Sequence, residues 1–115
     1  MNIKIHQING TSIAEVISEV LIITSLQDAL DLIGNCSYQG AEKIIVYKQN
    51  ITPDFFDLKT KLAGEVLQKF SNYRMQLAIV GNFSQYSSNS LQSFIYESNK
   101  GSLVKFVSTL EEALS

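Results

Sequence analysis

Three short apolar runs, each preceded by a helical pattern, limit what this chain can fold into. They occupy residues 44–47, 75–80 and 103–107. Short apolar blocks of this kind are typical of strands whose two faces are covered by other elements. A strand that the chain reaches through a helix lies parallel to its neighbour, because the crossover returns the chain to the same end of the sheet. The runs therefore predict a mostly parallel sheet.

The pair Asn9-Gly10 predicts a β-hairpin near the start of the chain. Residues 3–8 and 11–17 flank the pair, and Asn-Gly accepts the positive φ angles of a two-residue type I′ turn. The hairpin adds an antiparallel strand at one edge of the sheet. His6 lies on this strand and shares a face with Lys4, so we expect a solvent-facing or edge histidine and not a metal ligand.

The first two helices have clear starting signals. Ser25 is a predicted N-cap, and apolar residues follow it at the spacing of one helix face. That face consists of Leu26, Ala29, Leu30 and Ile33. Thr52 and Pro53 begin the second helix, because threonine caps a helix and proline at its first position loses no hydrogen bond. We expect this helix to continue to Phe70 or Ser71.

The last two helices lie on either side of the final strand. The third has Leu91 and Ile95 on its inner face and ends at Gly101, which suits the left-handed position after a last turn. Ser108 and Glu111 predict a capping box at the start of a short final helix. The predicted order is β-β-α-β-α-β-α-β-α, an α/β fold with a mixed, mostly parallel sheet and an antiparallel edge strand.

The overall composition is that of one globular domain spanning residues 1–115. Apolar residues make up 45% of the chain and charged residues 17%, which argues against disorder and against a coiled coil. The net charge is −2, so there is no strong positive field and we expect no nucleic-acid partner. The longest apolar run is far shorter than the roughly 20 residues that cross a bilayer, so we expect no membrane insertion.

The chain contains one cysteine, Cys36, and one histidine, His6. A single cysteine cannot form an intrachain disulfide, and we expect it to fill a small buried space. No signal sequence is recognisable at the start, so we expect a cytoplasmic protein. One histidine and one cysteine cannot assemble the usual catalytic triads or zinc sites, which favours a role without catalytic residues, cofactor or metal.

Polar side chains cluster in the segments that follow the parallel strands. Ligands of open parallel sheets bind beyond the carboxyl ends of the strands, where helix amino termini also point. The polar residues predicted there are Asn50, Thr52, Asp54, Asp57, Asn82, Ser84 and Tyr86. The same residue types form caps and turns, so a purely structural role remains an alternative. As a site, these amides and hydroxyls suit recognition by hydrogen bonds better than proton transfer.

Several longer motifs carry a family resemblance. They lie at residues 28–32, 35–40, 55–60, 67–74 and 94–101. With these motifs the chain resembles an uncharacterised bacterial family, the domain of unknown function 4180, over nearly its whole length. The resemblance implies no established activity.

A second resemblance concerns the architecture. The element order, and the ending at residues 106–114, resemble the STAS domains of anti-sigma factor antagonists and sulfate-transporter tails. Those domains carry an Asp-Ser-Ser/Thr-Gly-Leu stretch at the start of the second helix, and its hydroxyl can be phosphorylated. In this chain Asp57, Thr60 and Leu62 match that stretch loosely, whereas the serine and the glycine are absent. The resemblance implies the fold only.

Three hypotheses about function follow. The first is a non-enzymatic STAS-like module that binds a protein partner or a small polar ligand. Its candidate residues are Asn50, Thr52, Asp54, Asp57, Lys59, Thr60, Asn82 and Ser84. The second is a small enzyme that uses Asp54 or Asp57, held in an apolar pocket, as a general base. The third is a homodimerising accessory domain that pairs through the exposed edge of the hairpin or through an aromatic patch.

Overall fold

Five strands form one mixed sheet in the computed structural model, which describes all residues 1–115. They are β1 (Asn2–Ile8), β2 (Thr11–Ile17), β3 (Lys43–Tyr47), β4 (Gln76–Val80) and β5 (Val104–Val107). Their order across the sheet is the order along the chain, with β1 antiparallel to β2 and every other pair parallel. The predicted α/β fold and the antiparallel edge strand are confirmed.

Four α-helices complete the predicted element order. They are α1 (Leu26–Tyr38), α2 (Leu62–Asn72), α3 (Asn89–Lys100) and α4 (Leu110–Leu114). The first three cover one face of the sheet and enclose the main core, in which Phe55 and Phe70 are the largest fully buried side chains. Only the short α4 packs on the opposite face, over a small apolar cluster that includes Ile45 and Ala113. None of the helices is long and apolar enough to cross a membrane.

The hairpin turn forms at the predicted residues. Asn9 and Gly10 have φ angles of 52° and 82°, the left-handed values that a type I′ turn requires. The strands then pair in a register that runs from Ile8 opposite Thr11 to Asn2 opposite Ile17. Because β1 has only β2 as a neighbour, it is an edge strand as expected.

Helix α1 begins as predicted and continues one turn beyond the predicted apolar stripe. The Ser25 hydroxyl accepts a hydrogen bond from the Asp28 backbone N–H at 3.2 Å. The helix continues past Gly34, so Cys36 lies on its inner face and is fully buried. The prediction that this cysteine fills a buried space is confirmed, and burial raises the pKa of its thiol to about 11.

The prediction of one continuous second helix is wrong, because two short turns come before α2. The chain forms two 3₁₀ turns, Pro53–Phe56 and Leu58–Thr60, before α2 begins at Leu62. The Thr60 hydroxyl donates to two backbone carbonyls of these turns, and Lys61 adopts a left-handed φ of 67°. A left-handed residue cannot continue the hydrogen-bond pattern of an α-helix, so α2 begins only after Lys61.

Two predicted helix boundaries also need correction. Gly101 has φ −88° and ψ −173°, so it is extended and not left-handed. The last helix is capped by Thr109 and not by Ser108, with the Thr109 hydroxyl accepting from the Glu112 N–H at 3.2 Å. The Glu112 carboxylate in turn accepts from the Ser108 N–H, so the capping interaction lies one residue later than the Ser108 and Glu111 pair.

The two edge strands, β1 and β5, differ in whether a side chain bonds to their backbone. At β5, the Asn99 side chain accepts from the Phe106 N–H at 2.7 Å and donates to the Phe106 carbonyl at 3.1 Å. No side chain bonds to the backbone of β1, and Ile5 on that strand is 36% exposed. Covering an edge strand prevents it from pairing with another chain, so only β1 is open to such pairing.

Candidate functional site

A cavity of about 600 Å³ opens at the carboxyl ends of β3 and β4, and we call it the crevice. Its apolar and aromatic lining residues are Leu21, Ile51, Pro53, Phe56, Val80 and Tyr86. Its other lining residues are Lys48, Gln49, Gly81, Asn82 and Gln85. Cavities of this volume, apolar with a few polar groups, are typical of small-molecule sites.

The crevice forms where two parallel strands end side by side. Tyr47 at the end of β3 is opposite Val80 at the end of β4, so Lys48 and Gly81 follow at adjacent positions. A Cβ atom on Gly81 would lie 2.6 Å from the Cβ of Lys48, closer than real side chains approach. Glycine at this position therefore lets the stem of Lys48 cross the end of β4.

One side of the crevice is a group of packed aromatic rings. Phe56 and Tyr86 stack with ring centroids 5.4 Å apart and an interplanar angle of 17°. Phe83 lies behind them, 6.0 Å from Phe56. The Gln92 side-chain amide donates to the carbonyls of Phe83 at 2.8 Å and Tyr86 at 3.0 Å, which holds this loop against α3. The aromatic surface is therefore preformed.

Lys48 provides the only charge among the residues that line the crevice. Its ammonium group lies 4.9 Å from the centroid of the Tyr86 ring, within cation–π range. No carboxylate lies within 4 Å of it, and it donates no hydrogen bond within the protein. Burial raises the pKa of the Tyr86 phenol, so this ring remains neutral at physiological pH. The ammonium of Lys48 is thus available to an anion.

Asn50, a predicted ligand-binding residue, does not line the crevice but bonds to the segment that carries Leu21. It is 2% exposed, and its side-chain amide donates to the carbonyls of Ser18 and Val20, both at 2.9 Å. Its own carbonyl accepts from the Ile22 N–H at 2.7 Å. These bonds hold residues 18–22 across the end of the sheet, which places Leu21 at the crevice. The side-chain oxygen of Asn50 has no partner.

The predicted residues between 52 and 60 form turns beside the crevice and do not line it. The Thr52 hydroxyl faces the Asp54 N–H at 3.5 Å, and the Asp57 carboxylate accepts from the Lys59 N–H at 3.1 Å. The Thr60 hydroxyl holds the two turns together. Asp54 and Asp57 are both exposed, so neither lies in the apolar pocket that the enzyme hypothesis requires.

Asn82 and Tyr86 are the predicted residues that line the crevice, and Ser84 supports Asn82. The side-chain oxygen of Asn82 accepts from the Ser84 N–H at 3.0 Å and from its hydroxyl at 2.7 Å. This leaves the NH₂ group of Asn82 without a protein acceptor. Lys48, Gln49 and Gln85 were not predicted individually, although Lys48 follows its strand directly and could have been found by that position.

A second polar cluster lies on the face of the sheet that α4 covers, and we call it the Glu15 network. Glu15 is 5% exposed, and its carboxylate accepts from the Tyr47 hydroxyl at 2.6 Å. The other carboxylate oxygen lies 2.8 Å from Nε2 of His6. His6 lies on the edge strand as expected, but its ring turns inward to the buried acid instead of facing solvent. None of these three residues lines the crevice.

Burial and hydrogen bonding act against each other in the Glu15 network. Burial alone would raise the pKa of the Glu15 carboxyl, but the hydrogen bonds from Tyr47 and His6, with the charges of His6 and Lys4, lower it below its usual 4.5. Burial, together with the bond to Glu15, raises the pKa of Tyr47 to about 12. The network therefore holds a charged carboxylate and a neutral phenol at neutral pH.

The fold and the crevice define a small α/β protein with a preformed opening at the carboxyl end of its sheet. Residues 8–115 match the model of the family described as Domain of unknown function (DUF4180), and the chain belongs to that family. No curated protein and no solved structure matches the chain. The first resemblance is thus confirmed at the level of the family, whereas the likeness to STAS domains remains a prediction.

Proposed function

We propose that this protein is a non-enzymatic, STAS-like binding module that takes a small polar ligand in the crevice. The observation that carries the proposal is a set of unpaired polar groups around a preformed cavity. The side chains of Lys48, Gln49 and Gln85 make no hydrogen bond within the protein, and the NH₂ group of Asn82 is also free. Polar groups in this position cost nothing while water solvates them and become directional contacts when a ligand enters.

The residues that line the crevice favour recognition over catalysis. Only Lys48 and Tyr86 among them can titrate, and burial keeps the Tyr86 phenol neutral. General acid–base catalysis needs a group that exchanges a proton near the working pH. Asp54 and Asp57, the bases of the enzyme hypothesis, are exposed in the turns outside the crevice.

A protein partner is the second candidate, because an exposed apolar run adjoins the crevice. Ile17 is 44% exposed, Val20 65% and Leu21 46%, and Leu21 also lines the crevice. Single exposed apolar side chains are ordinary, whereas three within five residues beside a cavity favour contact with another protein. In this form of the proposal, ligand in the crevice changes the surface that the partner meets.

The test of the proposed function is a binding map made by NMR. Labelled protein is titrated with a set of small polar compounds, and the amide shifts are followed along the chain. We expect saturable changes centred on Lys48, Gly81 and Tyr86. Asp54→Ala serves as the control, since Asp54 lies outside the crevice, and it should leave the map unchanged.

Compounds that shift only residues away from the crevice, or that nowhere reach saturation, would contradict the proposed function. Chemical conversion of a bound compound in the same samples would instead support the enzyme hypothesis. Native mass spectrometry of the purified protein completes the set, because a mass of two chains would support pairing through the open β1 edge.

A further inference from the structure

We infer that the ligand of the crevice is an organic anion with a single carboxylate on a flat, apolar body. The inference rests on the proposed function and specifies the chemical class of the ligand. Three features lead to it: the ammonium of Lys48, which has no acidic partner, the aromatic lining formed by Phe56 and Tyr86, and the N–H of Gly81, which is already in use.

The sign of the ligand charge follows from Lys48. Lys48 is a partly buried residue whose ammonium has no acidic partner within 4 Å, and no other charged side chain lines the crevice. A cationic ligand would bring like charges together, whereas a carboxylate would form a charge-assisted hydrogen bond. The free NH₂ group of Asn82 can donate to a second oxygen on the ligand.

The shape of the ligand follows from the aromatic residues. The ring of Tyr86 stacks on the buried ring of Phe56 and lines the crevice, and Ile51 and Pro53 extend the same apolar lining. A flat ring buries more of its area against such a surface than a bulky, saturated body does. The Lys48 ammonium lies 4.9 Å from the Tyr86 ring centre, so the charged and apolar parts of the ligand must also be close together.

The number of negative charges on the ligand follows from the few donors that the crevice offers for a phosphate group. Sites for phosphate groups present several free backbone N–H groups, often at a glycine-rich turn or the start of a helix. Here the Gly81 N–H already donates to the Val107 carbonyl at 2.9 Å. The residues at the start of α3 do not line the crevice, so they offer it no further backbone donors. A single lysine therefore matches one carboxylate better than a polyphosphate.

The experiment compares simple probes of matched shape and charge by NMR titration of the wild-type protein. Benzoate has the ring and the charge, benzamide has the ring without the charge, and acetate has the charge without the ring. We expect benzoate to bind in the crevice about tenfold more tightly than either other probe. Cyclohexanecarboxylate, which keeps the charge on a bulky body, should bind more weakly than benzoate.

A pair of variants tests the role of the lysine. Lys48→Met keeps a long apolar stem beside Gly81 and Tyr86 but removes the ammonium, so benzoate affinity should fall about tenfold while benzamide affinity stays the same. Lys59→Met removes a lysine outside the crevice and should change neither. A thermal melt of each variant checks that it is folded, and the wild-type comparison does not depend on the variants.

The outcomes separate this inference from the proposed function. If benzoate and benzamide shift the crevice residues with equal affinity, the ligand class is wrong and the proposed function stands. If Lys48→Met weakens both probes equally, Lys48 has a structural role and the charge argument fails. If no compound of any kind shifts the crevice residues, both proposals fail.

Discussion

The Glu15 network and the crevice are two polar clusters on the same sheet, and they differ in how their polar groups are satisfied. In the network, both carboxylate oxygens of Glu15 have protein partners, from Tyr47 and His6, and no cavity opens there. In the crevice, the ammonium of Lys48 and the NH₂ group of Asn82 have none, and they border a cavity of about 600 Å³. A closed network contributes to stability, whereas open groups around a cavity are available to a ligand.

The comparison makes opposite predictions for substitutions in the two regions. Changes in the Glu15 network should lower the free energy of unfolding and leave binding of benzoate intact. Changes at Lys48 should weaken the binding of benzoate and leave the free energy of unfolding unchanged. A substitution of Lys48 or of a residue in the Glu15 network that lowered both quantities would weaken the separation.

The largest expected effect on stability comes from Glu15→Ala. It removes the acceptor that Tyr47 and His6 share and leaves space in the small core beneath α4, so we expect the free energy of unfolding to fall by about 2 kcal/mol. Urea denaturation measures this change. Glu19→Ala, at an exposed site, is the control, and a similar small loss in both variants would show that the network contributes nothing.

A somewhat smaller effect is expected for Gly81→Ala, which acts at the crevice. The new Cβ would meet the Cβ of Lys48 at 2.6 Å, so Lys48 must shift. We expect a loss of about 1–2 kcal/mol in stability from overpacking, together with several-fold weaker binding of benzoate. Gly34→Ala is the control, because a Cβ there meets nothing within 4 Å. Unchanged benzoate binding in Gly81→Ala would show that the position of Lys48 is not critical.

Tyr47→Phe should cost about 1 kcal/mol, because one hydrogen bond to a buried carboxylate is lost while the ring remains. Chemical denaturation of this variant beside Tyr73→Phe, which changes an exposed tyrosine, gives the comparison. Equal stability of Tyr47→Phe and the wild-type protein would mean that water replaces the phenol without loss.

The smallest effect is a dependence of stability on pH. The pKa of Glu15 is lower in the folded protein than its usual 4.5, so the charged carboxylate stabilises the fold above about pH 4.5. This contribution is lost as the pH falls through the folded pKa. Denaturation curves between about pH 6 and pH 3 should therefore fall more steeply for the wild-type protein than for Glu15→Gln. Parallel curves for the two proteins would contradict a lowered pKa of Glu15 in the folded protein.

Local features of the sequence predicted much of the fold. The Asn9-Gly10 turn depends on the φ angles of two residues. The cap at Ser25 depends on one hydrogen bond, from the Asp28 N–H to the Ser25 hydroxyl. Both could be identified from neighbouring residues alone. The interruption before α2 could not, because it depends on the Thr60 hydroxyl reaching carbonyls three and six residues away and on a left-handed Lys61.

The sequence predicted where the candidate site lies, but it predicted only some of the residues that line it. The carboxyl ends of the strands could be located because parallel strands end at one edge of the sheet. The amides and hydroxyls found there mostly serve as caps and supports, as Asn50 and Thr60 do. Lys48 could have been identified by its position directly after β3, but its close approach to Gly81 could not. Likewise, Tyr47 bonds to a residue 32 positions away, which no local pattern reveals.

The most direct test of the central claim is a crystal structure of the protein grown with benzoate. The crevice hypothesis predicts the carboxylate within hydrogen-bond distance of the Lys48 ammonium, the ring against Phe56 and Tyr86, and an unchanged Glu15 network. A crevice that holds only water while benzoate is bound elsewhere, or is not bound at all, would contradict the claim.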